Sequence, residues 1–276
     1  MTGAQRGGRR TRPVSLDRFL DDIESRPLSL VVINRSAPAQ IQTMLEEAFV
    51  GQTVTVEERA LPEEDDDVVV LVEETDGTVE PLATSPLSAL QETILLVNSD
   101  LYRTGTRGIE EFELPDVLAR LDEVRFSLRG YPESDYEKLL LIVISRYVER
   151  HAWEAGRGTL RTSFQRLSRI EDERGTRDVY EKLAAETDVQ THVYGMPDWT
   201  PSPEFEVITH GGYTDDFRDS WFVVYTPPAD ATVEGRHGES HVALLAIETS
   251  PREWDAFWTF EPDQVEAIEG YISENL

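Results

Sequence analysis

Apolar residues recur along this chain in two rhythms, helical and strand-like. Leu16, Phe19, Leu20 and Ile23 follow Ser15 at helical spacing, so a capped helix is expected to open the ordered sequence. Pro27 stops it. Leu28 to Ile33 is then a continuous apolar run of strand length, the pattern of a strand buried on both faces. Ser36 caps a second expected helix, with Pro38 in its first turn and Ile41, Met44, Leu45 and Ala48 on one stripe. Val54 and Val56 alternate with polar residues, as in a strand with one wet face. Val68 to Val72 reads as another strand, and Asp76-Gly77 as a hairpin turn folding Thr78 to Leu82 back onto it. Ser85-Pro86 opens a helix with Leu87, Leu90, Ile94 and Val97 facing inward.

From Asn98 to Pro132 the pattern loosens, broken by Gly105, Gly108, Pro115 and Gly130. This stretch is the expected boundary between an N-terminal lobe, 15–101, and a C-terminal lobe, 132–276. The longest expected helix follows, Ser134 to Ala155, ended by Gly156 and Gly158. Leu160, Thr162 and Phe164 alternate with polar residues as a strand, and a helix or broken helix runs on to Leu183. Strand-like runs recur at Val189–Val193, Trp221–Tyr225, Val242–Ile247 and Phe257–Phe260, and Pro262 starts a closing helix. Strands and helices alternate early and strands follow strands late. That order predicts an α/β fold bordering on α+β, a mixed sheet flanked by helices, arranged as two lobes.

Charge changes the picture most. The chain carries 54 acidic against 26 basic residues, a formal net charge of −28, and lysine occurs only at Lys138 and Lys182. Such an excess repels nucleic-acid phosphate and anionic lipid, so neither nucleic acid nor membrane is expected as a partner. The acids are spread along the whole chain, which favours adaptation to molar salt over one acidic docking patch. With no cysteine, disulfides, thiolate metal sites and cysteine nucleophiles are excluded. No apolar run approaches the ~20 residues that span a bilayer. Residues 1–14 hold Arg6, Arg9, Arg10 and Arg12 with no apolar segment behind them, so they read as a disordered basic tail and not as a signal peptide. A cytoplasmic, halophilic protein is the expectation.

The segment Arg146-Tyr147-Val148-Glu149-Arg150-His151-Ala152-Trp153, followed by Gly158-Thr159-Leu160-Arg161-Thr162-Ser163-Phe164-Gln165-Arg166-Leu167-Ser168, resembles the central signature of the DICT sensory domain family. His192 to Trp199, Ser220 to Tyr225 and Phe257 to Phe260 are similar to its later pieces. The likeness is strongest from Tyr136 onward, and 15–101 fits the N-terminal part of haloarchaeal stand-alone members more loosely. Members occur beside diguanylate cyclases, phosphodiesterases and two-component kinases. The resemblance therefore implies a sensory or signal-relay module without catalysis of its own, serving a separate signalling protein. It carries over no ligand and no functional residue.

Enzyme motifs are weak. His237 and His241 are four apart, but Gly238 and Ser240 between them indicate a loop, and no Walker lysine or Gly-x-Ser-x-Gly elbow is present. His192 falls on the polar side of its strand and His210 precedes Gly211-Gly212, neither with a carboxylate in a recognisable motif. No catalytic or metal-binding residue is therefore assigned, and the sequence names no cofactor. The candidate ligand site lies where the long helix meets the strand ends. Arg146, Glu149 and Trp153 share one helix face, Arg146 and Glu149 serving either as orienting charges or as a structural ion pair. Gln165 and Asp198 are expected to supply hydrogen bonds, and Trp153, Phe164, Tyr194 and Trp221 apolar walls around a small molecule. Self-association as a homodimer is a further expectation. The rival readings are an interaction scaffold with no small ligand and an enzyme lacking a familiar motif.

Overall fold

The computed structural model of the protein describes residues 15–23, 26–38, 52–62, 64–98, 113–129, 139–172, 174–202, 205–231, 241–251 and 253–276, with Thr43, Glu46, Phe49 and Ile109 as single positions. The basic tail, most of the helix expected from Ser36, the expected first turn at Ser134–Lys138 and the loop holding His237 lie outside those residues.

The apolar run Leu28–Ile33 forms β1, and five of its six residues are buried. β1 pairs in parallel with β2 (Thr55–Arg59) and antiparallel with β3 (Val68–Thr75), which turns back into β4 (Thr78–Pro86). Asp76 and Gly77 join β3 to β4 with φ of 52° and 77°. This left-handed pair is what a two-residue hairpin turn requires and what the Asp-Gly dipeptide supplies cheaply. Pro86 still pairs with Val68, so the next helix starts only at Leu87. The four strands form one mixed sheet in the order β2-β1-β3-β4.

A second mixed sheet holds β5 (Phe126–Arg129), β6 (Arg157–Arg166), β7 (Asp188–Met196), β8 (Ile208–Gly211), β9 (Ser220–Thr226), β10 (Val242–Ser250) and β11 (Glu253–Thr259). Their order is β5-β11-β10-β9-β6-β7-β8, with β6, β7 and β8 mutually parallel and every other pair antiparallel. The α/β class expected from the pattern is thus found, with the strands divided between two sheets. β5 and β8, four residues each, are too short to show a period and were not expected.

The helices with described bounds are α1 (Arg18–Asp21), α2 (Leu87–Asn98), α3 (Asp116–Ala119), α4 (Leu139–Ala155), α5 (Arg169–Asp172), α6 (Arg174–Glu186), α7 (Asp215–Arg218) and α8 (Pro262–Asn275). α1 is a single turn. Ser15 does not cap it, because its hydroxyl donates to Asp216 at 2.6 Å and its own helix takes no side-chain cap. α4 covers one face of the second sheet, and α1 and α8 cover the other. One cluster of buried apolar side chains includes Leu30, Val69 and Leu90 around the first sheet and Leu141, Phe164, Val223 and Trp258 around the second. The opposite face of the second sheet holds its own cluster, where Phe19, Tyr271 and Ile272 pack on Phe222, Val224 and Leu245.

Candidate functional site

α4 is apolar along Leu140, Leu141, Val143, Ile144, Val148 and Ala152, all buried, yet it also buries Ser145, Arg146 and Glu149. Hydrogen bonds join Arg146 and Glu149 to one another and to α6. Arg146 Nη1 donates to Glu149 Oε2 and Nη2 to Thr176 Oγ1 at 2.7 Å, while the Tyr180 hydroxyl donates to Glu149 Oε1 at 3.0 Å. Burial, and then the Glu149 charge, push the Tyr180 hydroxyl well above the usual phenol range, so it remains a donor. The network locks α4 to α6. Of the two roles open to Arg146 and Glu149, the geometry gives them the ion pair.

The aromatic residues beneath α4 continue the same layer. Phe164 of β6 meets Tyr180 edge-on at 5.8 Å and Trp221 of β9 at 6.3 Å, and Trp221 in turn meets Trp254 at 6.3 Å. Trp221 Nε1 donates to Ser145 Oγ at 3.1 Å, which satisfies the one polar atom its burial would orphan.

At the C-terminal end of β6 the regular alternation breaks. The β6–β7 register shifts between Ser163 and Arg166, and Gln165 sits there with φ of 65°, left-handed backbone that a non-glycine residue rarely adopts. The bulge re-aims the Gln165 side chain so that it shares the α4 face with its neighbour Phe164. Its Nε2 donates to Glu248 Oε2 at 2.8 Å. Glu248 pairs with Trp254 across β10 and β11, and there the register shifts again, between Glu248 and Ser250. Two bulged strand ends thus clasp each other around the start of β9, where Glu248 N donates to Asp219 O at 2.7 Å.

The eight residues expected to line a site are divided by the structure. Arg146, Glu149, Phe164 and Trp221 lie together on the α4 face, with Gln165 at its rim. Asp198 follows β7 and accepts from Ser168 N at 3.0 Å and Ser168 Oγ at 2.9 Å, stitching two loops together. Burial opposes ionisation there, but the Ser168 hydrogen bonds outweigh it and hold the Asp198 carboxyl below its ordinary value. Trp153 lies at the other end of α4, its Nε1 donating to Glu186 Oε2 at 3.0 Å. Tyr194 points to the α8 face, because β7 alternates and buries Val193 on the α4 side. Sequence reasoning missed Glu248, a partner set only by tertiary structure. It also left His192 and His210 without partners, although Nδ1 of the first lies 2.9 Å from Nε2 of the second. Among the described residues no cluster of three metal-binding side chains occurs, and no helix is long and apolar enough to cross a membrane.

Residues 116–233 match the model of the DICT family, the sensory domain in diguanylate cyclases and two-component systems. The match supports the resemblance read from the sequence, and it contains all eight candidate residues. No curated protein matches the chain. Among solved structures, the crystal structure of polyphosphate kinase from Porphyromonas gingivalis is similar at 9% identity and a TM-score of 0.35, over 93% of this chain and 47% of that one. This chain thus spans about half of that kinase's length, and a likeness so distant carries no argument about fold or activity.

Proposed function

We propose that this chain is a salt-adapted, cytoplasmic sensory module that binds a small molecule at the C-terminal end of β6 and signals to a separate protein without catalysis. The match to a sensory family supports the role. The paired bulges that hold Gln165 against Glu248 carry the choice of place. Strand ends are where α/β sheets commonly take ligands, and a left-handed non-glycine residue persists only where its surroundings hold it. In this reading the ligand engages the Gln165 carboxamide and the Glu248 carboxylate, with Phe164 and Trp221 as the apolar wall. Ser145 ties Trp221 to α4 and the Arg146–Glu149 pair ties α4 to α6, so a shift of Trp221 is passed to both helices together. Asp198 holds the neighbouring loop, and Trp153 and Tyr194 stand outside the ligand's reach. The test is mass spectrometry of small molecules released from protein purified in molar salt, with Gln165→Gly as the control. A molecule carried by the wild type and lost in the variant supports the site, and equal retention by both refutes it.

A second reading, an interaction scaffold that pairs with itself, draws on one observation. At the open edge strand β8, Ile208 is 43% exposed and the nearby Tyr213 74% exposed. Light scattering of Ile208→Ser/Tyr213→Ser against the wild type decides it: a fall in mass supports the homodimer, and unchanged mass removes it.

A further inference from the structure

We infer that the α8 face of the second sheet holds a separate receptor for a small oxoanion, a carboxylate or a phosphate, built from Arg161, His192, Tyr194 and His210. Parallel pairing sets Arg161 of β6 beside His192 of β7, and Tyr194 of β7 beside His210 of β8. The rings form a stack: Tyr194 on His210 at 4.3 Å and 8°, His210 on His192 at 5.2 Å and 20°. Arg161 donates its Nε to Glu269 of α8 at 2.6 Å and its Nη1 to the Tyr194 hydroxyl at 2.6 Å. Its Nη2 remains for another acceptor, and the Tyr194 hydroxyl, already accepting from Arg161, keeps its own hydrogen to donate.

The observation that points to a ligand is at His192. This side chain is 9% exposed, its Nδ1 is 2.9 Å from His210 Nε2, and its buried Nε2 has no hydrogen-bond partner. A buried polar atom without a partner is costly, and a bound acceptor removes that cost. An oxoanion suits the group because Arg161 Nη2 and the Tyr194 hydroxyl can donate, and so can His192 Nε2 in the tautomer whose Nδ1 accepts from His210 Nε2. Packing alone explains the stacked rings but leaves Nε2 unanswered.

Arg161 acts on both histidines and the Tyr194 ring lies on His210, while Glu269 of α8 meets Arg161. Burial first, then Arg161, disfavour the charged form of both histidines, so the two imidazoles are neutral near pH 7. An anion beside them reverses that preference, and its binding takes up a proton. Affinity must then rise as pH falls, by up to about tenfold per pH unit for one proton taken up.

The experiment is a titration of histidine-labelled protein with inorganic phosphate, and separately with acetate, at pH 7 and pH 6 in constant potassium chloride, followed by imidazole resonances. The expected result is a saturable shift of His192 and His210 together, by one anion or both, tighter at pH 6. The anion that acts at the lower concentration names the class. His210→Phe keeps a ring on Tyr194, so it is expected to fold by circular dichroism while losing the pH dependence. Arg161→Gln is expected to weaken binding at both pH values. No saturable shift with either anion, or an unchanged pH dependence in His210→Phe, overturns the receptor. Neither result bears on the Gln165 site, which lies on the other face of the sheet.

Discussion

Gln165 has φ of 65°, where any Cβ crowds the following carbonyl oxygen at a cost of about 1–2 kcal/mol. Gln165→Gly and Gln165→Ala both lose the Glu248 hydrogen bond, but only glycine relieves that backbone. The glycine variant should therefore be more stable than the alanine variant by about 1 kcal/mol, measured by denaturant unfolding in molar salt. Equal stabilities would mean that the bulge is not left-handed. His192 gives a second test at this scale. Burial, then Arg161 and His210, lower its pKa to about 4, against 6.5 for an unperturbed histidine. The unfolded chain binds the proton at the higher pH, so the stability contributed above 6.5 is lost as pH falls from 6.5 toward 4. Tm should drop across that window, with a shallower slope in His192→Phe. None of this was legible in the sequence. Period-two reading places Gln165 with Ser163, and only the bulge turns it to the α4 face. The His192–His210 contact likewise depends on a parallel strand pair too short to predict.

The elements were far more legible, because burial imposes their periods. Five of six residues in β1 are buried, and the Asp76-Gly77 turn appears where its chemistry placed it. α1 fell short of expectation. Its apolar stripe is real, but Leu16, Phe19 and Leu20 are buried by packing on the α8 face, and one helical turn suffices to present them. α4 shows the limit in the other direction: spacing put Arg146 and Glu149 on one face, but Thr176 and Tyr180, which decide their role, come from α6. Since both charges are buried, removing one partner strands the other. Arg146→Met should cost about 3–5 kcal/mol, and Arg146→Met/Glu149→Leu distinctly less, because the double variant strands no charge. A double variant as unstable as the sum of its single ones would show that the pair is not coupled.

Over the whole molecule, self-repulsion is the dominant electrostatic term. Acids outnumber bases 54 to 26, and exposed pairs such as Arg177 with Glu181 contribute little each. Screening acts on the repulsion more than on those pairs, since the Debye length shrinks to about 3 Å at 1 M salt. Tm should accordingly climb from low to molar potassium chloride, and a flat response would end the halophile reading. At this scale the sequence showed the charge and the α/β class directly. It could not show that one apolar cluster runs from the first sheet into the second, because that depends on how α2 meets α4.

The central claim is that the protein senses a small molecule at the Gln165–Glu248 clasp. Thermal unfolding of wild type and Gln165→Gly, side by side in molar potassium chloride against a panel of small metabolites, tests it most directly. Anything that binds only the folded state raises Tm. The account predicts at least one compound that raises the wild-type Tm and leaves that of Gln165→Gly in place. A wild type that no compound moves, or one that moves only in step with the variant, would contradict it.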